Sequence, residues 1–249
     1  MPESWSDTPV PRILAHRGLA RGCRENSLPA FRAALHEGAT HLESDIQATR
    51  DGVAVLFHDA DLTRTCGVPR RIEDVTLREL RELVPGPDGI PTLDEALSAL
   101  PCARWNLDIK AARAEAPTVQ VIRRHRAADR ILIASFSERR STPVARQVPQ
   151  VLRSPGVGRM AIVLLCARLN LTNIGRRVLQ GFFALQVPPR MKGISVVTPM
   201  LVSRYHAMGV EVHVWTVNDA AQMRLLISWG VDGIVTDRAD LAAQILSKA

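Results

Sequence analysis

Long apolar runs are missing from this sequence: the longest, MAIVLLCA at 160–167, is bracketed by Arg159 and Arg168. It falls well short of the roughly 20 residues that a bilayer span requires, so a soluble protein is expected. Cysteine pairs are missing too. The four cysteines, at 23, 66, 102 and 166, form no C-x-x-C and no disulfide framework, which points to free thiols in a reducing, cytoplasmic setting. The N-terminal MPESWSDTPVPRIL has no basic region leading into an apolar stretch, so secretion by a visible signal is not expected. There is no long basic tail and no segment that interleaves basic with aromatic residues. Nucleic acid is therefore not the expected partner, although a net charge of +7 and a pI near 10 suit an anionic one, whether a phosphorylated small molecule or an anionic membrane surface. Lysine is nearly absent: of 32 Lys and Arg, only residues 110, 192 and 248 are lysine.

What is present is alternation. Short apolar or β-branched runs alternate with segments of helical period over all 249 residues, the pattern of repeated βα units around a parallel sheet. Strands are expected at 12–16, 41–46, 53–58, 105–109, 131–135, 210–215 and 232–236. QVLRS, FALQVP and ISVVT compete for places between 150 and 198. Helix starts are marked by Ser27, Thr92 and Asn218, and stops by Gly38 and Gly230. The stretch from Asp59 to Pro91 is too long for an ordinary βα loop. No linker divides the chain. The expected architecture is α/β, a single (β/α)₈ barrel domain over 1–249 with a small insertion after the third strand, about residues 59–91.

Four predicted strands end in chemistry: AHRG gives His16 and Arg17, ESD gives Glu43 and Asp45, FHD gives His58, and DIK gives Asp108 and Lys110. In a barrel of this kind both sheet faces are covered, so an inward carboxylate is tolerated at the open C-terminal end when it is paired or metal-bound. The two-residue strand period puts Glu43 and Asp45 on one face, and Asp108 and Lys110 on one face. Three carboxylates converging there would repel one another without a cation. An oxygen-ligated divalent ion, Mg²⁺ or Ca²⁺, is expected. The one compact ammonium placed at a strand end, Lys110, hints at a chemical requirement that arginine does not meet.

In order, LAHRG, ENS followed by AF, GATHLESDI, TRDGVAVLFHDADLTRT, IPTLDEAL, LDIK, SF, VWTVN and GVDGIVTDRAD resemble the glycerophosphodiester phosphodiesterase family, from about residue 12 to 110 and again from about 194 to 242. The resemblance implies a TIM barrel that hydrolyses glycerophosphodiesters to glycerol 3-phosphate and an alcohol with a divalent metal. It matches His16 and His58 to the acid/base histidines, Arg17 to the phosphate-binding arginine, Glu43 and Asp45 to metal ligands, Glu25 to a supporting acidic residue, and Trp215 to a wall for the glycerol or alcohol group. Asp108 departs from the pattern, which has glutamate there, and so the third ligand is one methylene shorter. On this chemistry Arg17 and Lys110 meet the charge that develops on phosphate oxygens, and either water or the neighbouring glycerol hydroxyl attacks.

Two other readings stand beside this one. The segment 157–187 is unusually apolar with interspersed arginines; if it is a lip that touches a membrane or grips an acyl chain, the substrate is a lysophospholipid and the activity a lysophospholipase D. A barrel that binds a phosphoester without cleaving it is the third reading, resting on Asp108. Oligomeric state is not legible.

Overall fold

A computed structural model describes residues 4–191 and 193–247. Eight parallel strands form the barrel: β1 (Arg12–His16), β2 (His41–Ala48), β3 (Trp105–Ile109), β4 (Ile131–Ala134), β5 (Leu152–Arg153), β6 (Ala184–Val187), β7 (Glu211–Val214) and β8 (Gly233–Thr236). They follow one another in chain order, and β8 returns to β1, with Arg12 opposite Gly233 and Ala15 opposite Thr236. At the seam between β5 and β6 the ladder gives way to a backbone hydrogen bond from Phe183 N–H to Arg153 O at 2.8 Å.

Strand alternation sorts the side chains into two layers. Leu42, Ile46, Leu107, Ile109, Ile131, Ile133, Leu185, Val212 and Ile234 face outward and are buried in one core under the helices. The opposite faces fill the barrel. Its floor is plugged by Trp5, fully buried with Leu14, Leu132, Ala184 and Val235. Trp5 Nε1–H donates to the Trp105 carbonyl at 3.0 Å, and its ring lies 4.1 Å from that of His41. His41 Nε2–H donates to the Trp5 carbonyl at 2.9 Å. Burial drives the His41 pKa down to about 3, so it is neutral there. Arg12 pairs with Glu211 at 2.6 Å, and Glu211 also accepts from His213 at 3.0 Å.

The helix signals at Ser27 and Thr92 act as expected: Ser27 caps Leu28–His36, and Thr92 with Glu95 forms a capping box on Leu93–Ala99. The third signal is displaced by one residue. Asp219, not Asn218, caps Ala220–Ser228, because the Asn218 side chain is held by Asp237.

One expected strand, 53–58, and one of the three competing candidates, ISVVT, are not barrel staves. Residues Ala54–Leu56 pair antiparallel with β2, as the return arm of a hairpin. That arm opens an insertion with its own apolar cluster, including Val55, Phe57, Leu62, Ile72, Leu80 and Ile90. Of ISVVT only Ile194–Ser195 is extended, paired with Arg190–Met191 in a short hairpin. QVLRS and FALQVP supply β5 and β6 instead.

Candidate active site

At the end of β1 the backbone turns through the left-handed region, with φ of 56° at Arg17 and 81° at Gly18. A Cβ on Gly18 would sit 2.7 Å from the Ala30 carbonyl carbon, so only glycine lets the turn pack on the first helix. The turn is pinned by Arg17 N–H, which reaches Glu43 O at 3.0 Å and Glu43 Oε2 at 3.1 Å. The Arg17 guanidinium lies between Glu25 Oε1 at 3.1 Å and Asp45 Oδ2 at 3.2 Å.

Register brings the carboxylates together: Glu43 lies opposite His16, and Asp45 opposite Asp108. Like charges facing each other across a sheet are unfavourable, and Lys110 answers this pair. Its Nζ is 2.9 Å from Asp45 Oδ1 and 2.7 Å from Asp108 Oδ2. Burial alone would raise Asp45, but Lys110 and Arg17 outweigh it and hold the carboxyl below its usual range. Burial pushes Asp108 up despite Lys110, and burial with the neighbouring Asp45 pushes Glu43 up to about 7. Burial would lower Lys110, but Asp45 and Asp108 together raise it.

Each histidine is held from behind by a carboxylate. His16 Nδ1 bonds Asp237 Oδ1 at 2.7 Å, and Asp237 is fixed by Asn218 Nδ2–H at 2.6 Å. Burial opposes charge on His16, yet Asp237 and Glu43 leave its pKa raised. His58 Nδ1 bonds Asp59 Oδ1 at 2.6 Å, and Asp59 Oδ2 accepts from Arg64 at 2.6 Å. Gln47 Nε2–H ties this loop to β2 through the His58 and Asp59 carbonyls. Arg64 also pairs with Glu25, so Glu25 joins the Arg17 turn to the His58 loop.

A cavity of about 510 Å³ opens over these groups, lined on one side by His16, Arg17, Glu43, Asp45, His58, Asp108 and Lys110. The other side is apolar, with Phe136, Pro155, Val157, Met160, Met191 and Trp215. Phe136 and Trp215 meet edge to face at 5.8 Å, and Lys110 Nζ lies 5.5 Å from the Phe136 ring centre. All the sequence-derived candidates except Glu25 line this cavity; Glu25 stands behind it. Sequence reasoning missed the roles of Asp59, Asn218, Gln47 and Phe136. The HD dipeptide and the third alternate position of E-x-D-x-Q were the available signals.

The donor set suits a hard divalent cation: all three carboxylates offer oxygen, and Asp108 Oδ1 is buried without a hydrogen-bond partner. Among the described residues, however, no three His, Cys, Asp or Glu side chains converge as a ready-made cage. Lys110 takes Asp108 Oδ2, leaving Oδ1 as the free donor.

The sequence profile described as the glycerophosphoryl diester phosphodiesterase family matches residues 16–241. The chain is 41% identical over 236 residues to probable glycerophosphodiester phosphodiesterase 2 of Mycobacterium tuberculosis, covering 94% of this chain and 89% of that protein. It is 27% identical to the glycerophosphodiester phosphodiesterase of Caldanaerobacter subterraneus, covering 95% and 98%. Among solved structures, a putative glycerophosphoryl diester phosphodiesterase from Silicibacter pomeroyi superposes with a TM-score of 0.78 at 26% identity, over 98% of this chain and 95% of that one. An Oleispira antarctica phosphodiesterase, solved with the product sn-glycerol-3-phosphate, shares the fold at a TM-score of 0.76 and 23% identity, over 96% and 97%.

Proposed function

The chain belongs to the glycerophosphoryl diester phosphodiesterase family and is a phosphoric diester hydrolase, and from that premise we propose that it cleaves glycerophosphodiesters to glycerol 3-phosphate and an alcohol with His16 and His58 as its acid and base. The observation that carries this reading is the matched pair of carboxylate-held histidines beside one cavity with Arg17 and Lys110. A carboxylate on Nδ1 fixes the tautomer and leaves Nε2 to exchange a proton with the substrate. One histidine takes the nucleophile's proton while the other supplies one to the leaving alcohol. Arg17 and Lys110 offset the negative charge that grows on the non-bridging oxygens. Glu25 and Arg64 keep the two histidine loops in register.

Glu43, Asp45 and Asp108 Oδ1 are the residues that would hold a divalent ion, Mg²⁺ or Ca²⁺, whose chemistry there is to withdraw charge from the phosphate. Trp215 and Phe136 form the wall for the apolar part of the substrate. That wall also favours a second reading, headgroup removal from single-chain lysophospholipids, because half the cavity lining offers nothing to a polar alcohol.

The test is release of choline from glycerophosphocholine and from lysophosphatidylcholine, measured side by side with Mg²⁺, with Ca²⁺ and with EDTA. Metal-dependent turnover of the first alone supports the diesterase reading, and preference for the second selects lysophospholipase D. Turnover that persists unchanged in EDTA would sink the metal assignment.

A further inference from the structure

Charge is segregated along this chain. Between Glu138 and Glu211 the sequence runs 72 residues without an Asp or Glu and carries eleven Arg and Lys, so the rest of the molecule is net −4 although the whole is +7. Exposed apolar side chains gather in the same region. Among the described residues, nine of the eleven large ones lie between 136 and 200.

Helix Val157–Arg168 shows how this arises. It buries Met160, Val163, Leu164 and Ala167 against the barrel, as a barrel helix must, yet its outer face carries Ile162 and Leu165, the latter 57% exposed. Leu169 and Leu171 continue that surface, and Ile174 adds to it from helix Thr172–Val178. Helix Glu115–Arg124 does the ordinary thing and turns Gln120, Arg123 and Arg124 outward. A helix that is apolar all round while one side stays exposed has a partner to meet.

Two observations choose the partner. Arg168, Arg176 and Arg177 are exposed beside the apolar residues with no carboxylate in the segment to balance them, which suits an anionic surface and opposes docking against a second copy of the same cationic face. The surface is also continuous with the cavity: Val157, 43% exposed at the start of the helix, is itself part of the cavity's apolar wall. We propose that the outer face of helices Val157–Arg168 and Thr172–Val178 docks on an anionic lipid bilayer, placing the apolar side of the cavity against lipid. Its bearing on the substrate rests on the cavity being where a diester is cleaved, whereas the docking itself does not.

Sedimentation with vesicles tests it, using phosphatidylcholine alone and an equimolar mixture with phosphatidylglycerol, with turnover of a water-soluble glycerophosphodiester measured separately. The expected result is binding to the anionic vesicles only, weakened by salt. Leu165→Glu combined with Ile174→Glu should reduce it about tenfold or more, as should Arg177→Glu to a smaller extent, with soluble turnover unchanged in both. Absence of wild-type binding overturns the proposal, as does equal binding to neutral vesicles. So does a dimer in ultracentrifugation that Leu165→Glu dissociates, which would give the face to a second copy. Loss of soluble turnover in the wild type would instead remove the hydrolase reading and leave the vesicle result standing.

Discussion

On β1, Arg12 lies at the barrel floor and His16 at the mouth; on β2, His41 lies at the floor and Glu43 and Asp45 at the mouth; β7 carries Glu211 and His213 at the floor and leads to Trp215 at the mouth. The same strands therefore present ionisable groups at both ends, but the two ends dispose of them differently. At the floor one cation meets one anion, Arg12 and Glu211, and the histidines are buried around a fully covered Trp5. At the mouth Lys110 pairs with Asp45 and Asp108 and the Arg17 guanidinium with Asp45 and Glu25, while Glu43 accepts the Arg17 backbone N–H. Glu43 and Asp108 are left with raised pKa values. A floor with its charges paired stabilises a closed barrel. A mouth with carboxylate to spare stores electrostatic potential for something cationic.

The sharpest break in this comparison is expected at the histidines. His16→Ala and His58→Ala should each lower turnover about 10²- to 10⁴-fold while the melting temperature stays close to wild type; a near-normal rate in either variant would refute its assignment. Trp5→Ala should do the reverse. Denaturant unfolding should show a loss of about 3–5 kcal/mol, with the rate per folded molecule held within a small factor.

The floor should also carry an acid sensitivity of its own. The folded His41 pKa of about 3 is below the ordinary 6.5, so the unfolded chain takes up its proton first. Stability is then lost as pH falls below 6.5 towards 3, by about 2 kcal/mol at pH 5. His41→Gln should flatten that limb in melts compared between pH 7 and pH 5, and an unchanged slope would show that the histidine is not the group responsible.

At the mouth, Asp237→Asn removes the carboxylate that helps to hold His16 above its ordinary value. The His16 limb of the kcat/KM profile should move to lower pH with about a tenfold fall in rate. A fall without a shifted limb would make Asp237 a structural support only. The smallest effect is expected from Asp108→Glu, which restores the missing methylene: calorimetric affinity for Mg²⁺ or Ca²⁺ should hold or improve, and a large loss would show that the site is built around the shorter side chain.

The parts of this design that obey a local period were legible in sequence. Alternation placed Glu43 with Asp45 and Asp108 with Lys110, and Ser27 and Thr92 announced their helices. Pairing direction was not legible, since an extended run such as 53–58 looks alike as a parallel stave or an antiparallel return arm. Nor was the choice between Asn218 and Asp219, two good caps in a row, of which one is claimed by Asp237 from another strand. Asp237 itself reaches His16 because β8 closes against β1, a contact 221 residues apart that no local pattern encodes. Trp5 sits in SWSDTP, with no periodicity to declare that it would become a stopper.

That stopper also sets the molecule's polarity as an object to be handled. With Trp5 anchored under the strands and the cavity at their opposite ends, a tether joined upstream of Ser4 pulls on the base of the barrel and leaves the entrance unobstructed. Protein fixed to a surface through that end should present its cavity outward.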